Sequence, residues 1–138
     1  MLDKEIIEKK IKQIISYLNE IEPVLKLNFK DYRKDVYKIR TLERNTQLIV
    51  DNIIDINNEL ILGQNIEPAD DYYGTFTKLK QTNIFPDKLI SILAPLTGLR
   101  NRLVHEYEKV DQKILFTTMQ KRTKDIKEYL KIVLHYDT

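Results

Sequence analysis

Leu48-Ile49-Val50-Asp51-Asn52-Ile53-Ile54-Asp55-Ile56-Asn57-Asn58-Glu59-Leu60-Ile61-Leu62 is the centre of a long helical pattern that begins near Asp35. Ile39, Leu42, Ile49, Ile53, Ile56 and Leu60 fall on one stripe. Their spacing follows the 3.6-residue turn of a helix. Leu48, Val50, Ile54 and Ile61 add a second apolar flank. A helix apolar on more than one side sits between neighbours or meets a partner subunit. Gly63 is placed to end it.

The rest of the chain reads the same way on either side. Ile7, Ile11, Ile14, Leu18, Ile21 and Leu25 form one face of a first helix, with Asp3 as its N-cap and Pro23 expected to kink or end it. Asn28 to Lys34 reads as a connector carrying Phe29 and Tyr32. Residues 64–75 read as a polar loop, with Asp70-Asp71 as a turn signal, and a short apolar element with Phe76 and Leu79 follows. Pro86-Asp87 opens the next helix, which carries Leu89, Ile92, Leu93 and Leu96. Pro95 would clash with the carbonyl of Ser91, so a kink or a restart near Thr97-Gly98 is expected. A last helix spans about Gln112 to Leu134, with Leu115, Met119, Ile126, Leu130 and Val133 inward. No repeat or alternating strand pattern interrupts this. The expected fold is all-α: an antiparallel bundle of about five helices, two of them long.

Composition bounds the function. The chain's 138 residues are the size of one domain, 1–138. Without cysteine there is no disulfide framework, iron–sulfur site or thiolate zinc site. The start lacks the features of a signal peptide and no apolar run approaches a membrane span, so a soluble, cytoplasmic protein is expected. Twenty-three Lys and Arg against 21 Asp and Glu give a charge of +2, too small for bulk coating of nucleic acid but compatible with a local basic cleft.

Chemistry concentrates in Leu99-Arg100-Asn101-Arg102-Leu103-Val104-His105-Glu106-Tyr107. On an ideal helix Asn101 and His105 share a face, whereas Arg100 lies about 140° from His105. Leu99, Leu103 and Val104 would supply the buried side. Arginine offers a planar, permanently charged fork for phosphate, and histidine titrates near neutrality as a base or acid. Asparagine can orient either group, and Tyr107 can stack on a base. Together these suit RNA cleavage without metal, in which the 2′-hydroxyl attacks the adjacent phosphorus and arginine stabilises the developing charge. One histidine cannot readily act as both base and acid. A two-fold dimer would supply a second, and the extra apolar flank of the second long helix fits such a partner.

Other candidates read more plainly. Asp51 and Asp55 stand at i, i+4 and could together hold magnesium, but a solvated face is the simpler account. All-helical nucleotide pyrophosphohydrolases need a second acidic pair, which is missing. The run Lys121, Arg122, Lys124, Lys127 and Lys131 is a solvated face unless it flanks His105. In that case Lys121 and Arg122, with Arg102, would track an RNA backbone. His135 reads as a surface residue near the end of the sequence.

Arg100-x4-His105-x-Tyr107, preceded by Gly98-Leu99, resembles the RX4HXY signature of HepT toxins in the HEPN superfamily of all-helical nucleases. Leu42-Glu43-Arg44-Asn45, Asp111 and the amphipathic last helix are similar in kind and order, so the resemblance covers nearly the whole chain. It implies a cofactor-free, metal-independent ribonuclease acting on tRNA or mRNA as a homodimer. Arg100 and His105 would be the catalytic pair, with Asn101 beside them. The partner it implies is a minimal nucleotidyltransferase antitoxin that modifies Tyr107 with AMP. Added phosphate there would repel and occlude RNA. Some HEPN relatives are inactive nucleotide-binding or scaffold subunits, which is the alternative reading. Tyr72-Tyr73-Gly74-Thr75-Phe76 is similar to the family's variable connector and receives no role.

Overall fold

A computed structural model of the chain describes residues 3–105 and 109–136. Among these are seven α-helices, no strand, and a 3₁₀ turn at Lys80–Thr82: α1 Lys4–Leu25, α2 Phe29–Tyr32, α3 Val36–Gly63, α4 Tyr72–Leu79, α5 Asp87–Leu93, α6 Leu96–Val104 and α7 Gln112–His135. The count exceeds the expected five for two local reasons. Asn28, read as part of a connector, caps a four-residue helix by accepting the Asp31 N–H at 2.8 Å. Pro95 breaks the helix after Pro86 into α5 and α6, as its ring geometry requires.

α1 and α3 form the antiparallel long pair. Asn45 bonds the Tyr17 carbonyl at 3.1 Å, Asn52 bonds Gln13 at 3.2 Å, and Lys10 meets Asp55 at 2.9 Å. Partner numbers fall on one helix as they rise on the other. α7 runs parallel to α3, with Gln112 on Glu43, Tyr129 on Asn57 and Tyr136 on Gln64. The expected inward residues of α7 are all buried, and Phe116 and Tyr129 join them. No helix of the described residues is long and apolar enough to cross a membrane.

Two sequence readings are corrected here. Val50, Ile54 and Ile61 are buried within this chain, because α1, α4, α6 and α7 all pack on α3. The second apolar flank therefore serves the fold and argues for no partner. The left-handed residue that ends α3 is Asn65 (φ 57°), two positions after Gly63. Ile66 N–H reaches the Ile61 carbonyl and Asn65 N–H the Leu62 carbonyl, which makes a Schellman end.

The loop before α4 is also shorter than expected. Asp71 is a helix cap whose Oδ1 accepts the Gly74 N–H at 2.6 Å, so the helix already begins at Tyr72. A buried relay fixes this turn to the core. The Tyr129 hydroxyl donates to Asn57 Oδ1 at 2.5 Å, the Asn57 amide donates to Thr75 Oγ1 at 3.2 Å, and that hydroxyl donates to the Tyr72 carbonyl at 2.7 Å.

Burial holds the Tyr129 phenol well above its ordinary pKa of 10.0. A raised folded-state pKa gives stability that is complete below pH 10 and lost as pH climbs past it. In Tyr129→Phe, stability measured by denaturant titration should therefore fall less steeply above pH 10 than in wild type. The slope should differ by about 1.4 kcal/mol per pH unit, one proton's worth.

Candidate functional site

α6 carries the polar segment, and Leu99, buried, fixes which way it faces. Leu103 is only half-buried and Val104 is exposed, so the apolar side is narrower than the sequence implied. The helix ends at Val104. His105 follows with extended backbone (φ −82°, ψ 110°), its N–H still donating to the Asn101 carbonyl at 3.3 Å. That bond and the near-helical φ keep the start of the His105 side chain on the spiral, about 140° from Arg100, and only the chain beyond it turns away.

Arg100 is held on three sides. Its Nε donates to Asp51 Oδ1 at 2.6 Å, Nη1 donates to Asn101 Oδ1 at 3.3 Å, and the guanidinium lies 4.9 Å over the Tyr72 ring. The Arg100 side chain is 17% exposed, so these contacts are only partly screened by water. Asp51 and Tyr72 are partners the sequence reading missed. Asp51 and Asp55 do not act as a pair, since their carboxylates go to cations on different helices, Arg100 on α6 and Lys10 on α1.

His105 lines two clefts. The first, about 690 Å³, opens where α3 and α7 begin and α6 ends. Arg40, Arg102 and Lys109 line it, and among the described lining residues the one carboxylate is Glu43, which accepts from Gln112 at 2.7 Å. The Tyr32 hydroxyl donates to the other end of Gln112 at 2.6 Å. Burial, and then the charge of Glu43, push this phenol well above its ordinary 10.0, so it remains a donor. The second cleft, about 590 Å³, is lined by Tyr72, Tyr73, Pro95, Gly98 and Asn101 together with His105.

Asn101, Arg102 and His105 thus line these clefts, whereas Arg100 lines neither and borders the second through its contact with Tyr72. Lys121 and Arg122 line neither cleft, and lie about 14 Å along α7 from Gln112. Arg122 instead pairs with Asp125 at 2.8 Å on its own helix. His135 is exposed, its ring nitrogen 2.8 Å from the Lys131 carbonyl. Tyr107 lies outside the described residues.

Comparison with known proteins gives this geometry a context. The chain is 30% identical over 115 residues to the tRNA nuclease HepT of Aphanizomenon flos-aquae, covering 83% of this chain and 78% of that protein. It is 27% identical over 89 residues to the mRNA nuclease HepT of Shewanella oneidensis, covering 64% of this chain and 67% of that protein. The solved structure of the tri-AMPylated Shewanella oneidensis HEPN toxin in complex with its MNT antitoxin matches at a TM-score of 0.85 and 25% identity, over 97% of this chain and 98% of that one. The Ribonuclease HepT-like family model matches residues 14–133. That span takes in most of the bundle and the whole Arg100–His105 segment, and the chain belongs to the ribonuclease HepT-like family.

Proposed function

We propose that this chain is the toxin of a toxin–antitoxin pair, a metal-independent endoribonuclease that cuts tRNA or mRNA as a homodimer. A minimal nucleotidyltransferase antitoxin would silence it by AMPylation of Tyr107. The observation that carries the reading is the clamped Arg100, anchored by Asp51 and Asn101 in the same segment as His105. A guanidinium fixed before substrate arrives stabilises charge on the phosphoryl oxygens without reorganising.

In this reaction the 2′-oxygen bonds phosphorus and the bond from phosphorus to the 5′-oxygen breaks. An imidazole takes the 2′-hydroxyl proton, and a second, protonated imidazole gives one to the leaving 5′-oxygen. The products are a 2′,3′-cyclic phosphate and a 5′-hydroxyl. Two imidazoles require two copies of His105, hence the dimer. Exposed Val36, Val104 and Ile114 support it, since they sit at the ends of α3, α6 and α7 that meet around the first cleft. The relatives named as tRNA and mRNA nucleases support the substrate class, and the AMPylated toxin bound to its antitoxin supports the partner.

The test is incubation of the purified chain with total tRNA in EDTA. Wild type should cleave, while Arg100→Ala and His105→Ala, both still helical by circular dichroism, should not. No cleavage by any of the three would point instead to a binding or scaffold subunit. For the switch, Tyr107→Phe co-expressed with the neighbouring nucleotidyltransferase should show no added adenylyl mass on its peptide and should remain toxic. Covalent control that persists in this variant would refute the assignment.

A further inference from the structure

We infer that the cleft beside Tyr73 is a nucleobase subsite: a base flanking the scissile phosphodiester stacks on the Tyr73 ring, and the strand continues across His105 with its phosphates on Arg40, Arg102 and Lys109. This rests on the ribonuclease reading above and gives it a strand path.

The two clefts that share His105 differ in chemistry. The one at the starts of α3 and α7 offers three cations, and Glu43, the one carboxylate among its described lining residues, is engaged by Gln112. It suits a phosphate backbone. The other has no lysine or arginine among its described lining residues, and the one acid among them, Asp71, is occupied in capping α4. What it offers is aromatic surface and room. Tyr72 and Tyr73 are 45% and 53% exposed on the first turn of α4. Tyr72 is engaged beneath Arg100, whereas Tyr73 contributes nothing to that clamp. The floor at Gly98 is open, since a Cβ there would meet no atom within 4 Å. A cleft of about 590 Å³ falls within the 300–1,000 Å³ typical of small-ligand sites. A flat uncharged ring beside a phosphate-gripping arginine is what such a surface accommodates, and stacking on tyrosine tolerates any base.

Gly98 also supplies a way to fill the cleft without disturbing the core. Leucine is a stronger helix former than glycine, and its side chain at this position enters open space.

The experiment uses single-turnover cleavage of the RNA that the wild-type chain cuts, rebuilt with an abasic ribose on either side of the scissile phosphate. Wild type should lose about tenfold or more in kcat/KM at one of the two positions. Tyr73→Ala and Gly98→Leu should lose a similar factor on the intact RNA and nothing further on that abasic substrate, chiefly through KM. Tyr73→Phe should keep the intact rate. Arg40→Ala with Arg102→Ala should weaken all substrates alike and flatten the dependence on salt. The subsite is overturned if Tyr73→Ala cuts intact RNA at the wild-type rate, or loses the same factor with and without the base. Unchanged cleavage with lost self-association or antitoxin capture would make the face a protein contact and overturn it equally. A wild-type chain that leaves RNA intact refutes the ribonuclease reading itself.

Discussion

Asp51→Asn should lower RNA cleavage by about ten- to a hundredfold, although its carboxylate faces Arg100 and need not touch RNA. The 2.6 Å bond from Arg100 Nε is the shortest of the three contacts holding the guanidinium, and it is charge-assisted. Neutralising the acid leaves Asn101 and the Tyr72 ring to hold a mobile fork, and misplacement of a transition-state donor costs rate more than binding. Arg100→Ala removes the donor outright and should cost about a hundred- to a thousandfold. The decisive measurement is the double-mutant cycle. In the Arg100→Ala background Asp51→Asn should have almost no further effect on rate, because the carboxylate acts through the arginine. Equal penalties in both backgrounds would make Asp51 a structural residue only. The pair is 17% and 30% exposed at its side chains, so losing it should also lower unfolding stability, by about 1–2 kcal/mol after allowance for water. That loss is too small to empty the folded state, and the effect on rate remains readable.

A mixed dimer with one His105→Ala subunit should retain under about a tenth of wild-type activity if the two imidazoles divide the roles of base and acid, since each step of general acid–base catalysis contributes about a hundredfold or more. Joining two copies by a flexible linker, with the substitution in one, keeps the subunits from re-sorting. Retention of half the activity or more would mean that each chain cuts alone. The shared site would then be abandoned, whatever the state of association in solution.

How far these features could be read from the residues alone depended on sequence distance. The helical stripes of α1, α3 and α7, the cap at Asp3 and the break at Pro95 are local matters of period, side-chain acceptor and ring geometry, and each lies where the pattern places it. The end of α3 misled because Gly63 and Asn65 both tolerate left-handed backbone, and packing of Ile66 selected the asparagine. The buried flank of α3 could not be told from an interface, since periodicity does not say which chain covers an apolar face. The site split in the same manner. Arg100, Asn101 and His105 announced themselves through residue type and spacing within one segment. Asp51 and Tyr72 did not, because one lies 49 positions away in sequence and the other on a turn placed by the packing of α4 and the Tyr129–Asn57–Thr75 relay. Lys121 and Arg122 could belong to the site only by flanking His105, which charge does not reveal, and the length of α7 carries them away from it.

α6 is nine residues long, stopped by Pro95 at one end and by the extended backbone of His105 at the other. A single residue added between Pro95 and Arg100 would swing the guanidinium through about 100° and off Asp51. The same addition among residues 67–70 would merely lengthen a surface loop. Tolerance of length change should therefore be sharply uneven along this chain. Natural variants and engineered tags alike have room between Ile66 and Asp71 and almost none from Pro95 to His105.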